Sequence, residues 1–137
     1  MKALQPRDRS IRYDNMRSAR AEEGVIAQVL REPALLDQAR ALRPEDFSVA
    51  LLGNVYKQLR QRHDTGLEVS LGVLADLSAE EMSHITGIVQ KQQGPVNETA
   101  FRDCVRTIQT ERQRSAVSTD DDLLALRNKL KESKGAK

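Results

Sequence analysis

Between Ala21 and Leu59 the chain repeats one arrangement, an apolar stripe at helical spacing followed by a proline-marked break, in the segments AEEGVIAQVL, REPALLDQA and LRPEDFSVALLGNVYKQL. Val25, Ile26, Val29 and Leu30 recur at intervals of three and four, and so do Leu51, Leu52, Val55, Tyr56 and Leu59. That spacing gathers side chains on one face of a helix with about 3.6 residues per turn, whereas a half-buried strand would need alternation. Strands also draw on aromatic residues, and here Phe, Trp and Tyr make up 3% of the chain with no Trp at all. The fold class is therefore all-α, and 137 residues suit one domain with some additional tail.

Six helices follow from the punctuation. The first covers about 21–31 and stops near Pro33, whose ring disfavours helical geometry in the residue before it and suits the first turn of the next helix. Leu35, Leu36, Ala39 and Leu42 form the inner face of a short second helix. The turn Arg43-Pro44-Glu45-Asp46-Phe47-Ser48 places Phe47 as a core plug, and a third helix runs from about Val49 to His63, closed by Asp64-Thr65-Gly66. Ser70 caps a fourth helix carrying Leu71, Leu74 and Leu77. Ser78 and Glu81 make a capping box for a fifth, with Met82, Ile85 and Val89 on one face. After Gly94-Pro95, Asn97 caps a sixth with Phe101, Cys104, Val105 and Ile108 inside. Its stripe stops at Ile108, and Glu111, Arg112 and Ser115 occupy the next inward positions, so this helix is expected to outrun the core.

A final helix is expected beyond Ser118 or Thr119. It opens on Asp120-Asp121-Asp122, carries Leu123, Leu126 and Leu130 on one side with Leu124 at the flank, and ends in Lys129, Lys131 and Lys134. Acid at the start and base at the end compensate the helix macrodipole. Its leucine side needs cover, and little in the preceding helix supplies it.

Charge organises the chain further. Residues 1–20 hold Lys2, Arg7, Arg9, Arg12, Arg17 and Arg20 against Asp8 and Asp14, a composition expected for a basic, mostly disordered linker. Residues 21–108 hold nine basic and thirteen acidic residues, the opposite of a phosphate-binding surface. Nucleic acid is thus not the expected partner of the bundle. One cysteine, Cys104, closes no intrachain disulfide, and no apolar run reaches the ~20 residues that span a bilayer, so a cytoplasmic setting without a membrane partner is expected. His63, His84 and Cys104 lack ligand spacing, the glycines do not cluster into a phosphate cradle, and no nucleophile motif is present. No catalytic residue, metal or cofactor is expected.

The order A-E-x-x-V-I-x-x-V-L-x-x-P-x-L-L, L-R-P-E-D-F, L-L-x-x-V-Y-x-x-L resembles the C-terminal helicase-binding domain of bacterial replicative primase and, as a relative, the N-terminal domain of the hexameric replicative helicase. SLGVLADLSAEEMSHITGIVQKQ followed by AFRDCVRTIQ is closer to the primase pattern than to the D-L-V-T-V stretch and Gly-Gly loop usual in the helicase. The absence of a nucleotide-binding motif past the lysine-rich helix points the same way. The resemblance implies a six-helix bundle over 21–108, a C-terminal helical hairpin over 109–137 that grips the helicase N-terminal domains, and catalytic regions upstream. On that reading Leu123, Leu124, Leu126 and Leu130 contact the partner, while Arg112, Arg127 and Lys131 steer encounter with an acidic surface. The alternative is the self-associating collar domain of the helicase itself.

Overall fold

The computed structural model describes residues 9–92 and 94–116. Four α-helices carry them: α1 (Met16–Arg31), α2 (Ala50–Asp64), α3 (Ala79–Lys91) and α4 (Glu98–Ala116). Single 3-10 segments occupy Arg9–Ile11, Pro33–Ala39, Pro44–Asp46 and Leu71–Val73, and no strand occurs among the described residues. The all-α expectation holds, but the count of six α-helices does not. The expected second and fourth helices are 3-10 turns.

The second stops where side chains of α2 meet it. The carbonyls that another α-helical turn would use are taken by side chains from α2: the Tyr56 hydroxyl donates to Ala39 O at 3.0 Å and Leu42 O at 2.9 Å, and the Arg60 guanidinium donates to Leu42 O and to Arg40 O at 2.9 Å. With the Ala39 carbonyl and those of Arg40 and Leu42 just past it satisfied from α2, the seven-residue segment ends without a further helical turn. Leu71–Val73 is a single turn with no side-chain cap and no buried residue.

Helix α1 is the axis of the molecule. Every residue from Ala21 to Ala27 is buried, with α4 packed along it and α2, α3 and the Pro33–Ala39 turn around it. A helix covered on nearly all sides needs small residues where neighbours approach, and Ala19, Ala21, Gly24 and Ala27 supply them. A Cβ on Gly24 would lie 2.9 Å from the Cys104 sulfur of α4. Phe101, Val105 and Ile108 of α4 and Ile85 and Ile88 of α3 complete the core. On α3 it is Ile88 that joins Ile85 inside; Met82 and Val89, expected on that face, are only half-buried.

Caps set the helix ends. The Ser78 and Glu81 capping box forms as expected, with Glu81 N donating to Ser78 Oγ at 3.0 Å and Ser78 N to Glu81 Oε1 at 2.8 Å. Asn97 Oδ1 accepts from Ala100 N at 2.9 Å, starting α4. Gly66, at φ +75°, closes α2 in the left-handed conformation.

The boundary expected at residue 20 is displaced. Asn15 Oδ1 accepts from Ser18 N at 3.0 Å and starts α1 five residues earlier than expected, and Ile11 of the first 3-10 turn is 3% exposed. Residues 9–20 are therefore part of the folded body rather than linker. Arg12, Arg17 and Arg20 face outward, which is how a basic segment contributes buried apolar residues while keeping these charges in water.

Candidate protein-docking surface

Four carboxylates lie inside the fold, and three of them, Glu22, Glu23 and Glu111, join helices. Glu22 falls three, four and seven residues before Val25, Ile26 and Val29, on the apolar face of α1, and is fully buried. Its Oε2 accepts from Ser18 Oγ at 2.6 Å, Ser48 Oγ at 2.6 Å and Ser48 N at 2.8 Å, and its Oε1 accepts from Val49 N at 3.0 Å. Val49 is the N-cap of α2 and offers no capping side chain, so a glutamate from α1 caps α2 instead.

Glu23 is 7% exposed and accepts the Tyr13 hydroxyl at 2.5 Å, with Lys91 Nζ at 3.7 Å. The Tyr13 oxygen lies 2.9 Å from His84 Nε2, and the two rings meet edge to face. Burial, reinforced by Glu23, pushes the Tyr13 phenol above its ordinary range, and burial pulls His84 below its own. Both are neutral near pH 7. A neutral His84 donates from Nε2 to the tyrosine oxygen, whose proton goes to Glu23, and this chain ties the N-terminal segment to α1 and α3.

Glu111, 7% exposed, accepts from Asn15 Nδ2 at 3.2 Å and faces the Arg17 guanidinium at 3.9 Å. The inward row of α4 thus continues in polar form past Ile108, against the start of α1. No structural break falls at 108/109, since α4 is continuous to Ala116.

Apolar surface gathers beside these junctions around Phe47. Expected as a core plug, Phe47 is only half-buried: it stacks on the fully buried Tyr56 at 4.8 Å between centroids and leaves an edge outward. It forms part of two grooves. One, of about 590 Å³, runs along the Ala50, Asn54 and Lys57 face of α2 beside Pro44 and Glu45. Its depth depends on Gly53, where a Cβ would lie 2.9 Å from Pro44 O. The other, of about 300 Å³, lies between Phe47, Ser48 and the α4 residues Glu111 and Arg112. Arg112 also lines a third groove, of about 480 Å³, with Arg43, Gln109 and Gln113.

Of the residues expected to contact a partner, Arg112 stands exposed in the last turns of α4 and at the rim of this surface. Leu123, Leu124, Leu126, Arg127, Leu130 and Lys131 lie outside the described residues, as does the rest of the hairpin expected over 109–137 after Ala116. Sequence reasoning missed Tyr13, Glu22, Glu23 and Glu111 as junctions. For Glu22 a signal existed: a carboxylate in register with an apolar stripe must find donors inside the fold. Among the described residues no group of three or more His, Cys, Asp or Glu is placed to hold a metal ion, and no helix is long and apolar enough to cross a membrane.

The described residues form an all-α domain whose interior carboxylates link its helices and whose surface carries grooves beside Phe47, with Arg43, Lys57 and Arg112 among the groove-lining residues. The chain belongs to the DnaB-like helicase N terminal domain family, which it matches over residues 14–110. The match begins at residue 14, beside the Asn15 cap, rather than at Ala21, in agreement with the structural start of α1. No curated protein and no solved structure matches the chain.

Proposed function

We propose that this chain is the helicase-binding adaptor domain of a bacterial primase: a non-catalytic module of the primosome that recruits primase to the hexameric replicative helicase at the fork and modulates primer synthesis and helicase activity. Family membership over residues 14–110 supports a role in helicase-centred DNA replication. The observation that carries the finer reading is the segment Ser70 to Gln92. In sequence it resembles the primase pattern more than that of the helicase. The partner is the set of helicase N-terminal domains, engaged through Leu123, Leu126 and Leu130 with Leu124 at the flank. Arg112, Arg127 and Lys131 speed encounter with an acidic surface.

The helicase collar is the second reading, favoured by the matched family being that of the helicase N-terminal domain. The two differ in what the isolated chain does. An adaptor stays monomeric in light scattering and is captured by a purified bacterial replicative helicase hexamer; a collar domain forms dimers or rings by itself and is not captured. Self-association without capture would replace the adaptor reading with the collar.

A further inference from the structure

The surface around Phe47 carries an imbalance of charge. Its buried carboxylates are engaged: Asp46, 8% exposed, accepts from Arg43 N at 2.9 Å, and Glu111 is held by Asn15. Asp14, on the same rim, pairs with Arg12 at 3.4 Å. The cations remain outward. Arg112 and Lys57 are exposed and make no ion pair among the described residues, and the Arg43 guanidinium is 68% exposed, 3.8 Å from Asp46. Glu45, beside Pro44 in the groove along α2, is the exposed acid of this surface without an ion pair among the described residues. An occupant that fits has carboxylates at the Arg112 end, apolar side chains over Phe47, and a cation at the Glu45 end.

The chain itself contains such a segment in that order: Asp120-Asp121-Asp122, then Leu123, Leu124 and Leu126, then Arg127. It also starts nearby. Arg112 and Phe47 line the same groove, and α4 is described to Ala116, one turn or about 6 Å beyond Arg112. From Ala116 to Asp120 an extended chain reaches about 13 Å, enough to turn back onto the rim that Arg112 occupies.

We propose that the Phe47 surface is the seat of the chain's own Asp120–Arg127 segment. The aspartates face Arg112 and Arg43, the leucines cover Phe47 and the Ala50–Gly53 groove, and Arg127 reaches Glu45. The seat needs no helicase, so it stands or falls apart from the adaptor reading. If both hold, seating withholds the leucines from the partner, and the helicase must displace them from a surface of the same molecule.

The test uses the full chain with Cys104→Ser and Ala125→Cys, carrying a nitroxide on the new cysteine, and reads paramagnetic broadening of backbone amide resonances. The spectrum itself reports whether the variant is folded. The expected result is broadening at Phe47, Ala50 and Asn54 that does not depend on concentration, spares Thr65 at the other end of α2, and is lost when Asp120, Asp121 and Asp122 are changed to Lys. Absence of broadening at Phe47 and Ala50 overturns the proposal. So does broadening that arises only between labelled and unlabelled chains, which assigns the groove to a second copy. Broadening that survives charge reversal also overturns it, because the rim would then not select the segment.

Discussion

Replacing Glu22 by Ala tests whether one buried carboxylate holds α2 on α1. The side chain is fully buried and accepts four hydrogen bonds, two from the backbone amides of Ser48 and Val49 and two from the hydroxyls of Ser18 and Ser48. Removing it takes away the cap of α2, a loss of about 1–2 kcal/mol. It also leaves the buried Ser18 hydroxyl without its acceptor, a further 1–3 kcal/mol or so. Relief from desolvating a carboxylate offsets part of this. The net is about 2–4 kcal/mol, and at about 4–6 °C per kcal/mol for a domain of this size Tm falls by roughly 10–20 °C. Glu22→Gln keeps one good acceptor and the side-chain volume, so it should fall between the parent and Ala. Thermal unfolding followed by far-UV circular dichroism reads the order. Hydrogen exchange at Ser48 and Val49 should speed up in both variants before the rest of α2 does. An Ala variant melting within about 2 °C of the parent, or a Gln variant less stable than Ala, would refute the capping argument.

Two further outcomes follow from neighbouring contacts. Gly53→Ala would ordinarily gain about 1 kcal/mol of helix propensity, but its Cβ meets the Pro44 carbonyl at 2.9 Å and Phe47 Cβ at 3.3 Å. Since a backbone carbonyl does not yield as a side chain does, a net loss of about 1–2 kcal/mol is expected in urea unfolding, and a gain would mean that the turn at Pro44 is free to move. His84 supplies a pH dependence. Burial lowers its folded pKa below the ordinary 6.5, with Glu23 opposing and Lys91 assisting, so its contribution is complete above about pH 6.5 and declines as pH falls through the folded value. Stability should therefore drop on acidification below about pH 6.5, and His84→Gln should flatten that part of the profile; an unchanged slope in the variant would assign the titration elsewhere.

Much of the helical architecture is legible from periodicity and capping. Leu51, Leu52, Val55, Tyr56 and Leu59 mark the inner face of α2, Ser78 and Glu81 the start of α3, and Asn97 the start of α4, all as the residues suggest. What periodicity does not show is how an end is satisfied. Pro33–Ala39 has the apolar spacing of an α-helix and forms 3-10, and it stops where Tyr56 and Arg60, some twenty residues on, take the carbonyls of Ala39 and of Arg40 and Leu42 just past it. Residues 9–20 have the composition of a linker, yet Asn15, Ile11 and Tyr13 find partners on α1, α3 and α4 that local sequence cannot reveal. Phe47 illustrates the same limit at the candidate surface. Its place next to α2 was readable, but only the packing of Tyr56 behind it and Gly53 beside it leaves its edge exposed between two grooves.

The leucine-bearing segment is proposed to dock this domain onto a replicative helicase. Calorimetric titration of the full chain into a purified bacterial helicase hexamer, compared with Leu126→Asp, tests it most directly. Three leucines contribute about 1.5–3 kcal/mol each on burial, against the cost of association, so the parent should bind in the micromolar range, near −8 kcal/mol. Leu126→Asp should lose at least tenfold in affinity while melting within about 2 °C of the parent. Undiminished binding by the folded variant, or no binding by the parent, would contradict the claim.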